Sequence, residues 1–106
     1  MEVSKLRETL RKYGALDNDY RLKAFLEIYR NPGISFNEIA RKLKVERSLL
    51  AYHLGVLKAA GLIALSVERE SKTTSHYALT KEGENLLQEI LKKQASSNPV
   101  KDYRLR

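Results

Sequence analysis

The chain has 106 residues, which suits one domain able to bury about two thirds of its unfolded surface. It has no cysteine, which excludes a disulfide framework, a thiolate metal site and a thiol switch. Twenty Lys and Arg against 13 Asp and Glu give a formal net charge of +7, which favours a polyanionic partner. No signal-peptide pattern and no apolar run of about 18 residues is present, so a cytoplasmic protein with no membrane partner is expected.

Val3, Leu6, Leu10 and Tyr13 recur at helical spacing among Lys5, Arg7, Glu8, Arg11 and Lys12. They predict an amphipathic first helix ending near Gly14. Its stripe is narrow for a core helix, which suits contact with a partner subunit. Asp17, Asn18 and Asp19 offer cap oxygens for a second helix with Leu22, Phe25, Leu26, Ile28 and Tyr29 as its apolar set. "NPG", residues 31–33, stops that helix. "ISFNEI" then carries a capping box, Ser35 with Glu38, inside a hydrophobic staple of Ile34 and Ile39. A short third helix over 36–43 follows, turning its Ile39, Ala40 and Leu43 inward. Residues 44–46 make a tight turn, and a fourth helix runs over 47–60 to a left-handed Gly61.

After Gly61 the apolar period changes from 3.6 to 2. Ile63, Leu65 and Val67 alternate with Ala64, Ser66 and Glu68, which reads as a strand with the first three inward. "ESKTTS" is a polar tip, and residues 76–79 return with Tyr77 and Leu79 inward. Thr80 caps a last helix over 81–94, with Leu86, Leu87, Ile90 and Leu91 apolar. The fold class is therefore mainly α with a small β-wing: a winged helix-turn-helix of about five helices and a two-stranded antiparallel wing. Residues 1–94 form the domain, and 95–106 are a short basic tail.

The charge is concentrated. Residues 41–81 hold eight basic side chains and three acids, a net +5, which leaves +2 for the other 65 residues. On the fourth helix Leu50, Leu54 and Leu57 fall on one core stripe. Arg47, Ser48, Ala51, Tyr52, Gly55 and Lys58 fall opposite, with no acid after Glu46. Small residues at 48, 51 and 55 let a helix sit deep in a groove about 12 Å wide. Arg47 can donate a bidentate pair to guanine, and Ser48 and Tyr52 can bond base edges or phosphates. Arg41, Lys42 and Lys44, around the turn, and Arg69, Lys72 and Thr73, at the wing, are candidate phosphate contacts that position without specifying. Glu46 reads as a cap or dipole partner at the helix start, or as an acceptor for a cytosine amino group. His53, between the two faces, reads as a partly buried structural histidine, and His76 as a strand residue. Tyr13, Tyr20, Tyr29, Tyr52 and Tyr77 are core or interface candidates rather than a stacking row. The two histidines lack metal-ligand spacing, so no metal and no cofactor is expected. Nor is any catalytic constellation present, which argues against an enzyme.

The stretch "LDNDYRLKAFLEIYRNPGISFNEIARKLKVERSLLAYHLGVLKAAGLI" resembles the core of the ArsR-type winged-helix transcription regulators. Arg21, Glu38-Ile39-Ala40, Leu43, Tyr52-His53-Leu54, Leu57 and residues 60–63 carry the likeness, and "YALTKEGENLL" matches the exit from the wing. It spans residues 16–91. The resemblance implies double-stranded DNA as partner, a homodimer joined by the first and last helices, and repression rather than activation. Val3, Leu6, Leu10, Tyr13, Leu87, Ile90 and Leu91 would form that interface, and half-sites would lie about 10 base pairs apart. Glu46, Leu49 and Ala51 depart from the family pattern, standing where small hydroxyls are common. Many members sense metals through cysteines; this chain has none, and no residue cluster points to an effector. Its high charge without cysteine is compatible with an archaeal thermophile. Two alternatives stand beside it: a low-specificity, chromatin-like DNA-coating protein, which shares the basic charge, and a winged helix used for protein–protein contact in the transcription machinery, which predicts an acidic or apolar face where this one is basic and small.

Overall fold

The computed structural model describes residues 2–66 and 75–96, with side chains to residue 94. Helix α1 (Val3–Leu16) buries only Ala15 and Leu16 at its C-terminal end. Helix α2 (Asp19–Arg30) is capped by Asn18, the middle of the three candidates, whose side chain accepts from the Arg21 N–H at 3.0 Å. Ala24, Phe25 and Ile28 form its buried face. Gly33, at φ 89°, completes the turn after Pro32.

The next two residues differ from expectation. Ile34–Ser35 form a short strand, β1, so the sheet among the described residues has three strands rather than two, in the order β1-β3-β2. Strand β3 (His76–Leu79) pairs antiparallel with β1, Ile34 opposite Tyr77, and with β2 (Ile63–Leu65), Ile63 opposite Leu79. Two residues are too short to show a period of 2, which is why the strand is invisible in the sequence. The capping box stands beside it: the Glu38 N–H donates to Ser35 Oγ at 3.1 Å, and the Ser35 N–H donates to Glu38 Oε1 at 3.0 Å. Together they open helix α3 (Phe36–Leu43).

Lys44 ends α3 in the left-handed region at φ 53°. Helix α4 (Arg47–Ala59) then buries Leu50, His53, Leu54 and Leu57. It ends in a Schellman arrangement. Gly61, at φ 79°, donates its N–H to Lys58 O, and Leu62 donates to Leu57 O. Helix α5 (Lys81–Ser96) starts on this corner: Thr80 Oγ1 accepts from the Gly83 N–H at 2.9 Å and donates to Gly61 O at 2.6 Å.

One core joins these elements. Phe25 and Ile28 from α2, Ile39 from α3, Leu50, Leu54 and Leu57 from α4, and Leu62 are fully buried at its centre. Leu65 corrects the strand reading. It shares a face with Ile63 and Tyr77, both buried, but is itself 51% exposed at the end of β2. Val67 and the wing tip lie outside the described residues. Leu87 corrects the interface reading. At 3% exposure it belongs to the core, whereas Ile90 is half-buried and Leu91 is 46% exposed.

Candidate nucleic-acid interface

Helix α4 packs its buried stripe against α1, α2 and β2 and leaves the opposite side open. Arg47, Ser48, Ala51, Tyr52, Gly55 and Lys58 are all exposed there. A Cβ added at Gly55 meets nothing within 4 Å among the described residues, so the middle of this face is open there. Leu49, 40% exposed, extends the face at its edge and offers apolar contact of the kind a thymine methyl accepts.

The face is partly preorganised. The Arg47 guanidinium lies 5.1 Å from the centre of the Phe36 ring, a cation–π contact that restrains a long side chain. Ser48 Oγ donates to Glu46 Oε1 at 3.0 Å. This corrects the reading of Glu46 as a cap. Its backbone occupies the cap position, but its side chain makes no cap hydrogen bond to the helix and engages the Ser48 hydroxyl instead. A free helix N–H and an adjacent hydroxyl compete for the same carboxylate, and the hydroxyl, which rotates freely, takes it. The helix dipole still favours an acid there.

The flanking candidates are placed differently from one another. Arg41 and Lys44 are exposed around the turn. Lys42 is exposed too, but its Nζ lies 3.5 Å from Glu27 Oε1 on α2, so a phosphate contact by Lys42 has to compete with that pair. Arg69, Lys72 and Thr73 lie outside the described residues.

His53 is 5% exposed and structural, as expected. Its Nδ1 lies 3.4 Å from Arg21 Nη1, and Arg21 Nε donates to Ala15 O at 2.6 Å. Arg21 thus ties the end of α1 to α4, a role that no local pattern reveals because it needs the crossing of α2 on α4. Burial first, and the Arg21 charge second, hold the His53 pKa below its ordinary 6.5. The unfolded chain then takes up a proton that the folded chain refuses, so this contribution to stability is full above pH 6.5 and lost as pH falls below it. Melting temperature is therefore expected to fall between about pH 7 and pH 5.5, and His53→Gln to flatten that slope; equal slopes in thermal melts of the two proteins would contradict the assignment.

The described residues contain no group of three or more His, Asp or Glu placed to hold a metal ion, and no helix long and apolar enough to cross a membrane. An exposed, acid-free helix following a tight turn, with a strand ribbon after it, defines a winged helix-turn-helix DNA-binding domain. Residues 17–64 match the family of that description, winged helix-turn-helix DNA-binding.

Solved structures similar to the chain include ArsR-like transcription regulators. An ArsR-like transcriptional regulator from Rhodococcus sp. RHA1 is 25% identical, with a TM-score of 0.68, over 99% of this chain and 90% of that one. HlyU from Vibrio cholerae is 23% identical, with a TM-score of 0.72, over 90% of this chain and 99% of that one. A homodimeric winged helix-turn-helix DNA-binding domain of a possible ArsR-family regulator from Mycobacterium bovis is 19% identical, with a TM-score of 0.72, over 90% of this chain and 87% of that one. No curated protein matches the chain by sequence. Residues 17–64 thus carry a winged helix-turn-helix DNA-binding domain, and the chain is similar in fold to ArsR-like transcription regulators.

Proposed function

We propose that the chain is a cytoplasmic, homodimeric, sequence-specific repressor that occupies an operator in double-stranded DNA and blocks polymerase. It carries out no reaction; its work is binding. The observation that carries this reading is the α4 face. Six residues in helical register stay exposed, none is acidic, and the small ones lie between Arg47, Tyr52 and Lys58, the shape and charge that a major groove accepts. Arg41 and Lys44, with Arg69, Lys72 and Thr73 of the wing, serve as phosphate contacts, and Lys42 does so on release from Glu27.

The dimer reading rests on the terminal helices. Val3, Leu6 and Leu10 are 65%, 45% and 68% exposed on α1, with Tyr13 at 37%. Leu10, Tyr13, Leu16, Leu22 and Ile90 line an apolar groove of about 700 Å³ between α1, α2 and α5. Exposed apolar surface of this extent on a charged molecule suits a subunit contact, and the Mycobacterium relative is a homodimer.

Arg47→Ala is expected to weaken a selected operator by about 1–3 kcal/mol and to relax preference at one base position of each half-site. Competition titrations with single-base operator variants check this. Equal weakening on every duplex would instead favour the low-specificity, chromatin-like alternative, and unchanged DNA binding the protein–protein module.

A further inference from the structure

The exposed face of α4 has two edges. On one, Arg47 lies against Phe36 at the start of α3. On the other, a row of aromatic rings leaves the helix. Tyr52 is tilted against His53 with ring centres 5.3 Å apart, and His53 stacks on Tyr20 of α2 at 6.1 Å and 26°. The row ends at a cation, because Lys23 Nζ lies 6.0 Å over the Tyr20 ring. Tyr20 and Tyr52 are 45% and 61% exposed although the imidazole between them is buried.

This arrangement holds two phenols at the surface on a buried support. Their rings have already lost much of their rotamer freedom, so a ligand that meets them orders little more. The two phenols and the Lys23 ammonium are hydrogen-bond donors on exposed residues. Lys23 is exposed, and its contact among the described residues is the Tyr20 ring rather than the carboxylate of Asp19 one turn away.

The partner follows from the dimensions of a duplex. A helix with its side chains is about 10–12 Å across, close to the major-groove width of about 12 Å. When α4 fills the groove, whatever flanks its open face meets the phosphate ridge on that side. On the Tyr52 side the flanking element is the start of α2. We propose that Tyr20 and Lys23 are DNA-backbone contacts: the Tyr20 hydroxyl and the Lys23 ammonium donate to phosphate oxygens on the ridge beside Tyr52. The inference rests on α4 being the groove helix and extends the interface onto α2. Because phosphates carry no sequence information, these contacts strengthen all duplexes alike.

The test uses the full chain and a mixed-sequence duplex of about 30 base pairs, with fluorescence anisotropy over about 0.05–0.2 M NaCl. Four variants suffice. Tyr20→Phe removes one hydroxyl, Lys23→Gln one charge, and Lys5→Gln an equal charge from exposed α1. Arg47→Ala, titrated on the selected operator, reports on the groove helix. Tyr20→Phe is expected to raise Kd about threefold without changing the salt slope. Lys23→Gln is expected to raise Kd more than Lys5→Gln does and to reduce the slope by about 0.9 for each protomer bound. Thermal melts of both variants should match the parent. A parental Kd for Tyr20→Phe, with Lys23→Gln no weaker than Lys5→Gln while Arg47→Ala is weakened, overturns the inference and leaves the groove helix in place. Parental binding of the selected operator by Arg47→Ala overturns both.

Discussion

Gly83→Ala is expected to destabilise the fold by about 3 kcal/mol, a large share of the 5–15 kcal/mol typical of a domain. A Cβ at this position would lie 2.2 Å from the carbonyl oxygen of Leu62 and 3.1 Å from its carbonyl carbon. The obstacle is backbone, so no side chain can swing aside. Nor is that backbone free to move. Leu62 O accepts from the Thr80 N–H at 3.0 Å, and the neighbouring Gly61 O accepts from the Thr80 hydroxyl at 2.6 Å. Relief requires the first turn of α5 to lift off the corner after α4, which also strains the Thr80 cap. Melting temperature should drop by roughly 12–24 °C. Gly14→Ala gives the opposite sign. Its Cβ would meet nothing within 4 Å inside a helix, so a gain of about 0.5–1 kcal/mol is expected. Calorimetric melts of the two variants check both. A Gly83→Ala protein as stable as the parent would mean that α5 does not sit on this corner.

The second large effect concerns assembly. Leu6→Glu with Leu10→Glu is expected to leave the fold intact, since both side chains are largely exposed in the single chain. It should nevertheless convert the proposed dimer to a monomer, because four carboxylates would be brought together across its two-fold axis. Loss of the second half-site removes the intramolecular second binding step, so operator affinity should fall about 100-fold or more. Analytical ultracentrifugation and operator titration read the two consequences separately. A dimer that survives both charges would move the subunit contact away from α1. A monomeric variant that binds the operator as tightly as the parent would remove the need for two half-sites.

Features set by neighbouring residues were legible in the sequence. The capping box of Ser35 and Glu38, the Thr80 cap and the left-handed Gly61 each depend on chemistry within a few residues, and each stands where its spacing predicts. The exposed face of α4 was legible too, because one periodic stripe of leucines determines which side is left over. What the sequence hid depends on how elements cross. Ser35 pairs with His76 in a strand two residues long. Leu87 turns into the core while Leu91, one helical turn later, turns out. Glu46 takes the Ser48 hydroxyl rather than the helix end. Tyr20 of α2 stacks on His53 of α4, and Arg21 meets the same imidazole from 32 residues away, contacts that no local pattern shows.

The central claim is that the open face of α4 reads a specific duplex, and selection from random double-stranded DNA at about 0.15 M salt, with sequencing of the bound pool, tests it most directly. A two-fold symmetric motif with half-sites near 10 base pairs apart is expected. A bound pool with no sequence enrichment would contradict it.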